Sequence, residues 1–140
     1  MPSASFFTQR DAAIEYTRYA ALCDALFTTA GETVAVVADA ETKIALATLS
    51  RRAGLHAAAW GELVPESVLL ADERASAVTP TAIARDPAAI ATALRTLRAD
   101  LDAAVARMSP VADRPALRLA ADVLADIDEA LAVLRHPTGG

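Results

Sequence analysis

Four times along this chain, apolar residues recur in alternating steps of three and four. The first seam is Ala12, Tyr16, Tyr19, Cys23, Leu26 and Ala30; the second is Leu46, Leu49, Ala53, His56, Trp60 and Leu63. The third is Ile90, Leu94, Leu97, Leu101, Ala104 and Met108; the fourth is Ala116, Ala120, Val123, Ile127, Ala130 and Leu134. That period puts each set on one face of an α-helix. Alanine, the best helix former, fills 36 of the 140 positions, while aromatics make up only 4%. A chain this long can bury a sizeable core as one domain, 1–140. "TVAVVA" could be a short strand, but no second strand is there to pair with it. The fold class is therefore all-α.

Start and stop signals bound the four helices. Thr8 with Asp11 three residues on resembles a capping box, with Asp in place of Glu. The first helix is predicted over 9–37, running through Gly31 because the apolar face continues to Ala38. Asp39 caps a second helix over 39–63, ended by Pro65. Asp86 with Pro87 at the first helical position opens a third over 86–108. After the turn "SPVADRP", a fourth covers 113–136, its stripe widened by Leu117, Leu124 and Leu131. Residues 64–85, with a helical turn in "SVLLADERAS", are long for a helix–helix connection of about 2–8 residues. Extended, they span up to about 70 Å, against about 37 Å for the second helix. They can return along the molecule and let the second and third helices run parallel. Four helices with one long crossover between the second and third make a ferritin-like four-helix bundle.

Charge excludes some partners. The net charge is −5, and the basic residues, nearly all arginine, are interleaved with acids. No basic stripe is present to neutralise nucleic-acid phosphates or to bind an anionic membrane. No stretch reaches eighteen uninterrupted apolar residues, so no membrane span is predicted. The single cysteine, Cys23, excludes an intrachain disulfide. "MPSASFFTQRDAA" lacks the charged and apolar regions of a secretion signal, and a cytoplasmic protein is expected.

Two stretches carry a resemblance. "LFTTAGETVAVVADAETKIALATLSRRAGLHAAAWGELVPE", residues 26–66, with its His-x-x-x-Trp pair and closing Leu-Val-Pro-Glu, is one. "SPVADRPALRLAADVLADIDEAL", residues 109–131, is the other. Together they resemble small, uncharacterised ferritin-like four-helix-bundle proteins. The resemblance implies the same bundle topology and supplies no reaction. The wider class includes diiron oxidases, hydroxylases and iron stores.

A diiron site of that class takes one Glu from each of two helices and Glu-x-x-His from each of the other two. Here the pattern fails. Position 53, three before His56, is alanine, and the matching pair on the fourth helix is Ile127 and Ala130. The chain also lacks a Gly-rich phosphate loop, a nucleophile elbow and a Cys-x-x-Cys motif. The expected role is accordingly non-enzymatic and without cofactor: an interaction or small-ligand-binding bundle. Its pocket candidates are His56, Trp60, Tyr19 and Cys23, with Trp60 one turn after His56 to shield it and Cys23 a small core residue. The rival is a metal-dependent oxidase or hydroxylase using iron or manganese at a non-standard site of His56, Asp126, Glu129 and Glu15. Asp122, Asp126 and Glu129 form an acidic stripe, and Arg51 and Arg52 read as exposed charges. Small residues Ala57, Ala58 and Gly61, read as the outer side of the second helix, suggest a homodimer; a protein partner or a small apolar ligand is the other expected partner.

Overall fold

A computed structural model describes residues 6–77 and 82–134. Among them lie five helices and no strand: α1 (Gln9–Val34), α2 (Ala40–Leu63), α3 (Ala71–Ser76), α4 (Pro87–Val105) and α5 (Arg114–Leu134), with a 3₁₀ turn at Val68–Leu70. The seams become the core. All six seam residues of α1 and all six of α5 are buried, as are the four seam residues Leu46, Leu49, Ala53 and Trp60 of α2. The α4 seam is buried through to Met108, just past the helix end. Only His56 and Leu63 sit half-buried, at the rim.

The local signals act as chemistry dictates at most ends. Thr8 and Asp11 form the reciprocal capping box, Asp11 N–H on Thr8 Oγ1 at 3.1 Å and Thr8 N–H on Asp11 Oδ2 at 2.9 Å. Asp39 Oδ2 accepts from the Thr42 N–H at 2.8 Å and opens α2. α1 does run through Gly31, but it stops at Val34, short of the expected 37. The Val36 and Val37 amides turn back to the Thr33 carbonyl, and Lys43 Nζ takes the freed Val34 carbonyl at 3.0 Å. Those bonds close a tight turn that frees Asp39 for its extended cap conformation. α4 likewise ends at Val105 instead of 108, its last turn tightening where Arg107 and Met108 bond to the Ala104 and Val105 carbonyls. For the fourth expected helix, residues 135 and 136 lie outside the described residues.

Two glycines set the α1–α2 distance. A Cβ on Gly31 would stand 3.1 Å from Ser50 Oγ, and one on Gly54 would stand 3.0 Å from the Phe27 ring. Without them the helices could not come close enough for Ser50 Oγ to donate to the Phe27 carbonyl at 2.7 Å.

Pairs across the helices fix directions. The Phe7 amide bonds to the Arg107 carbonyl, Arg18 pairs with Asp100, and Arg85 pairs with Glu32, so α1 and α4 are antiparallel. Tyr16 packs on Trp60 while Phe27 faces Gly54, so α1 and α2 are antiparallel as well. Both neighbours of α1 therefore run the same way: α2 and α4 are parallel. The principal neighbours are α1–α2, α2–α5, α4–α5 and α1–α4, which leaves α2 and α4 on a diagonal. The connection between them carries α3, which packs on α1, with Glu73 meeting Arg10 at 3.1 Å. Its residues 78–81 lie outside the described set.

Candidate functional site

α2 and α5 meet through a short chain of charges. Arg52 and His56 stand four residues apart on α2, hence on one face. Asp126 and Glu129 stand three apart on α5 and face them. His56 Nε2–H donates to Asp126 Oδ2 at 2.7 Å. Asp126 Oδ1 lies 3.2 Å from Arg52 Nη1, and the same guanidinium nitrogen also meets Glu129 Oε2. The hydrogen bond to Glu129 first, and the Asp126 charge next, raise the Arg52 pKa further. The His56 side chain is 14% exposed and that of Asp126 24%, so the pair sits at the rim of the core.

On one side of this chain α2 and α5 part. The groove between them holds about 180 Å³. Its floor is Ile44, Ala45, Leu49, Ala130 and Val133; Glu41 stands at one end, and Arg52, Asp126 and Glu129 stand at the other. Inward of His56 a second space of only about 10 Å³ is lined by Cys23, Leu49, Val123 and Ile127 among others. That is about the room of one water molecule. Burial pushes the Cys23 thiol up to about 12, so it is a protonated core residue at neutral pH.

The remaining sequence candidates lie elsewhere. Trp60 and Tyr19 are fully buried, and Trp60 turns to the α1 tyrosines, its ring 5.2 Å from Tyr16 and 5.1 Å from Tyr19. Neither lines the space that Cys23 and His56 share. Burial, then the charge of Glu15, raises the Tyr19 hydroxyl's pKa. Glu15 belongs to the α1–α4 seam: it holds Arg18 at 2.6 Å, and Arg18 holds Asp100 at 2.8 Å. Of the four proposed metal ligands, the fold joins His56 to Asp126, links Glu129 to them through Arg52, and leaves Glu15 apart.

The donor set does not fit a diiron group. Ala53, Ile127 and Ala130 are buried where inward ligands would stand. Asp126, the partner of His56, and Glu129 already hold the Arg52 guanidinium. Among the described residues no group of three or more His, Cys, Asp or Glu side chains is placed to hold a metal ion.

Arg52 corrects the sequence expectation of an exposed charge: its side chain is half-buried and central to the network. The signal was available, since Arg52 precedes His56 by one helical turn. The apolar floor from Ile44 to Val133 left no such signal, because a groove is a property of two helices and not of one. Ala57 is also corrected, being packed against the core, whereas Ala58 and Gly61 do face outward.

Comparison with protein-family models, with curated proteins and with solved structures finds no match. Among the described residues no helix is long and apolar enough to cross a membrane.

Proposed function

We propose that this chain is a ferritin-like four-helix bundle without a diiron site, working in the cytoplasm by binding rather than by catalysis. The α2–α5 groove is the binding surface. The observation that carries this is its lining: an apolar floor with three carboxylates, Glu41, Asp126 and Glu129, against one guanidinium, Arg52. An excess of negative charge beside apolar surface suits a small cation with a hydrocarbon body. The groove is smaller than the roughly 300–1,000 Å³ of a drug-sized pocket, so its occupant is a short alkyl or aryl ammonium group. Such a group stands either in a free amine or at the end of a partner's lysine.

The test is a titration of ¹⁵N-labelled protein with n-butylammonium and, separately, with butyrate. The amine is expected to shift the amides of Ile44, Ala45, Leu49 and Ala130, and butyrate is expected to leave them in place. Ala45→Phe, which fills the floor, should abolish the response. Equal response to both ions, or none to either, contradicts the proposal.

A further inference from the structure

The outward face of α2 is a second surface, separate from the groove. Arg51, Leu55, Ala58 and Glu62 follow one another in steps of four, three and four, on the side opposite the buried seam. Leu55 is 67% exposed. Arg51 and Glu62 are exposed, and among the described residues neither makes an ion pair. They stand eleven residues, about 16 Å, apart, with Leu55 and Ala58 between them. A Cβ at neighbouring Gly61 would meet nothing within 4 Å, so this end of the face is open to close approach.

We infer that α2 docks antiparallel on the α2 of a second copy of this chain, about a two-fold axis between residues 56 and 57. In that register Arg51 of each copy faces Glu62 of the other, and Leu55 of each faces Ala58 of the other. A two-fold interface is self-complementary, so both pairs form twice. Charge selects this register. Moving the axis to between residues 54 and 55 would instead set Arg51 against Ala58 and Glu62 against Ala47, leaving both charges unpaired. The small Ala58 leaves room for the Leu55 side chain, which is the one large apolar group on this half of the face. The contact covers residues 51–62, whereas the groove lies along 41–52, so either surface can fail without the other.

Sedimentation equilibrium of the full chain tests the docking, with far-ultraviolet circular dichroism confirming helicity of each variant. The wild type is expected at the mass of two chains in the micromolar range. Arg51→Glu and Glu62→Arg each set like charges face to face, and each should raise the dissociation constant at least about tenfold. The double variant R51E/E62R restores both pairs and should regain the dimer. A wild-type mass of one chain at high micromolar concentration overturns the inference. So does a dimer that either single reversal leaves intact, or one that the double variant fails to restore.

Discussion

Ser50 and Trp60 are both buried on α2, and their polar atoms meet opposite fates. Ser50 Oγ reaches the Phe27 carbonyl, while Trp60 Nε1 finds no hydrogen-bond partner among the described residues. Ser50→Ala should therefore cost about 1 kcal/mol in urea unfolding, the net worth of one hydrogen bond. Trp60→Ala should cost about 3–5 kcal/mol through the cavity it leaves. Trp60→Phe should cost no more than about 1.5 kcal/mol, because it also removes a donor that pays for desolvation without a bond. Cys23 should resist Ellman's reagent in the native state and react fully once the chain is unfolded in urea, since burial keeps its thiol protonated. Asp11 links stability to pH. Burial pushes its carboxyl up, but the Thr8 amide and hydroxyl and the Arg107 guanidinium outweigh that and hold it below the ordinary value. Its contribution is complete above the unfolded value of about 3.9 and is lost as the pH falls through the lower folded value. Asp11→Asn should therefore be less stable than wild type at pH 7, and the gap should close as the pH falls through the folded value. A gap independent of pH would assign Asp11 a purely steric role.

At the scale of elements, the helix starts differ in a way that a substitution can read. Asp39 caps α2 with bonds to both the Thr42 amide and the Thr42 hydroxyl, at 2.8 and 2.7 Å. Asp86 stands at the same position before α4 but makes no side-chain cap bond, leaving Pro87 to set the start. Asp39→Ala should cost about 1 kcal/mol and Asp86→Ala less than about 0.5, measured by thermal or urea unfolding. Both starts were legible in the sequence, because a cap residue next to an apolar period is a local signal. The buried seams were legible for the same reason: a period of 3.6 is written within one helix. The stops were less so. α1 ends at Val34 through a lysine nine residues on, and a lysine's choice of carbonyl is not a pattern of sequence. The site was legible by halves. His56 and Asp126 could be placed near the core from their own helices. Arg52's bridge to both acids, and the groove beside it, depend on the register between α2 and α5, which no single segment encodes.

For the whole molecule, the decisive arrangement is the pairing of α2 and α5, which run antiparallel, Ala45 lying by Val133 and Leu63 by Arg114. It sets Arg52 and His56 opposite Asp126 and Glu129, and it opens the groove along Ile44, Ala45 and Val133. Arg52→Ala should cost little stability in urea unfolding, since the pairs are solvated. It should nevertheless alter the groove, releasing Glu129, leaving Asp126 to His56 alone, and strengthening the response to n-butylammonium. The proposal that this bundle holds no diiron site rests on Arg52 neutralising Asp126 and Glu129. Its most direct test is the metal content of the chain, expressed in medium supplemented with iron, manganese and zinc and measured by mass spectrometry after gel filtration. Far less than one metal ion per folded chain is expected, with no change in His56→Ala. Near-stoichiometric metal that is lost in His56→Ala would contradict it and make His56 a ligand.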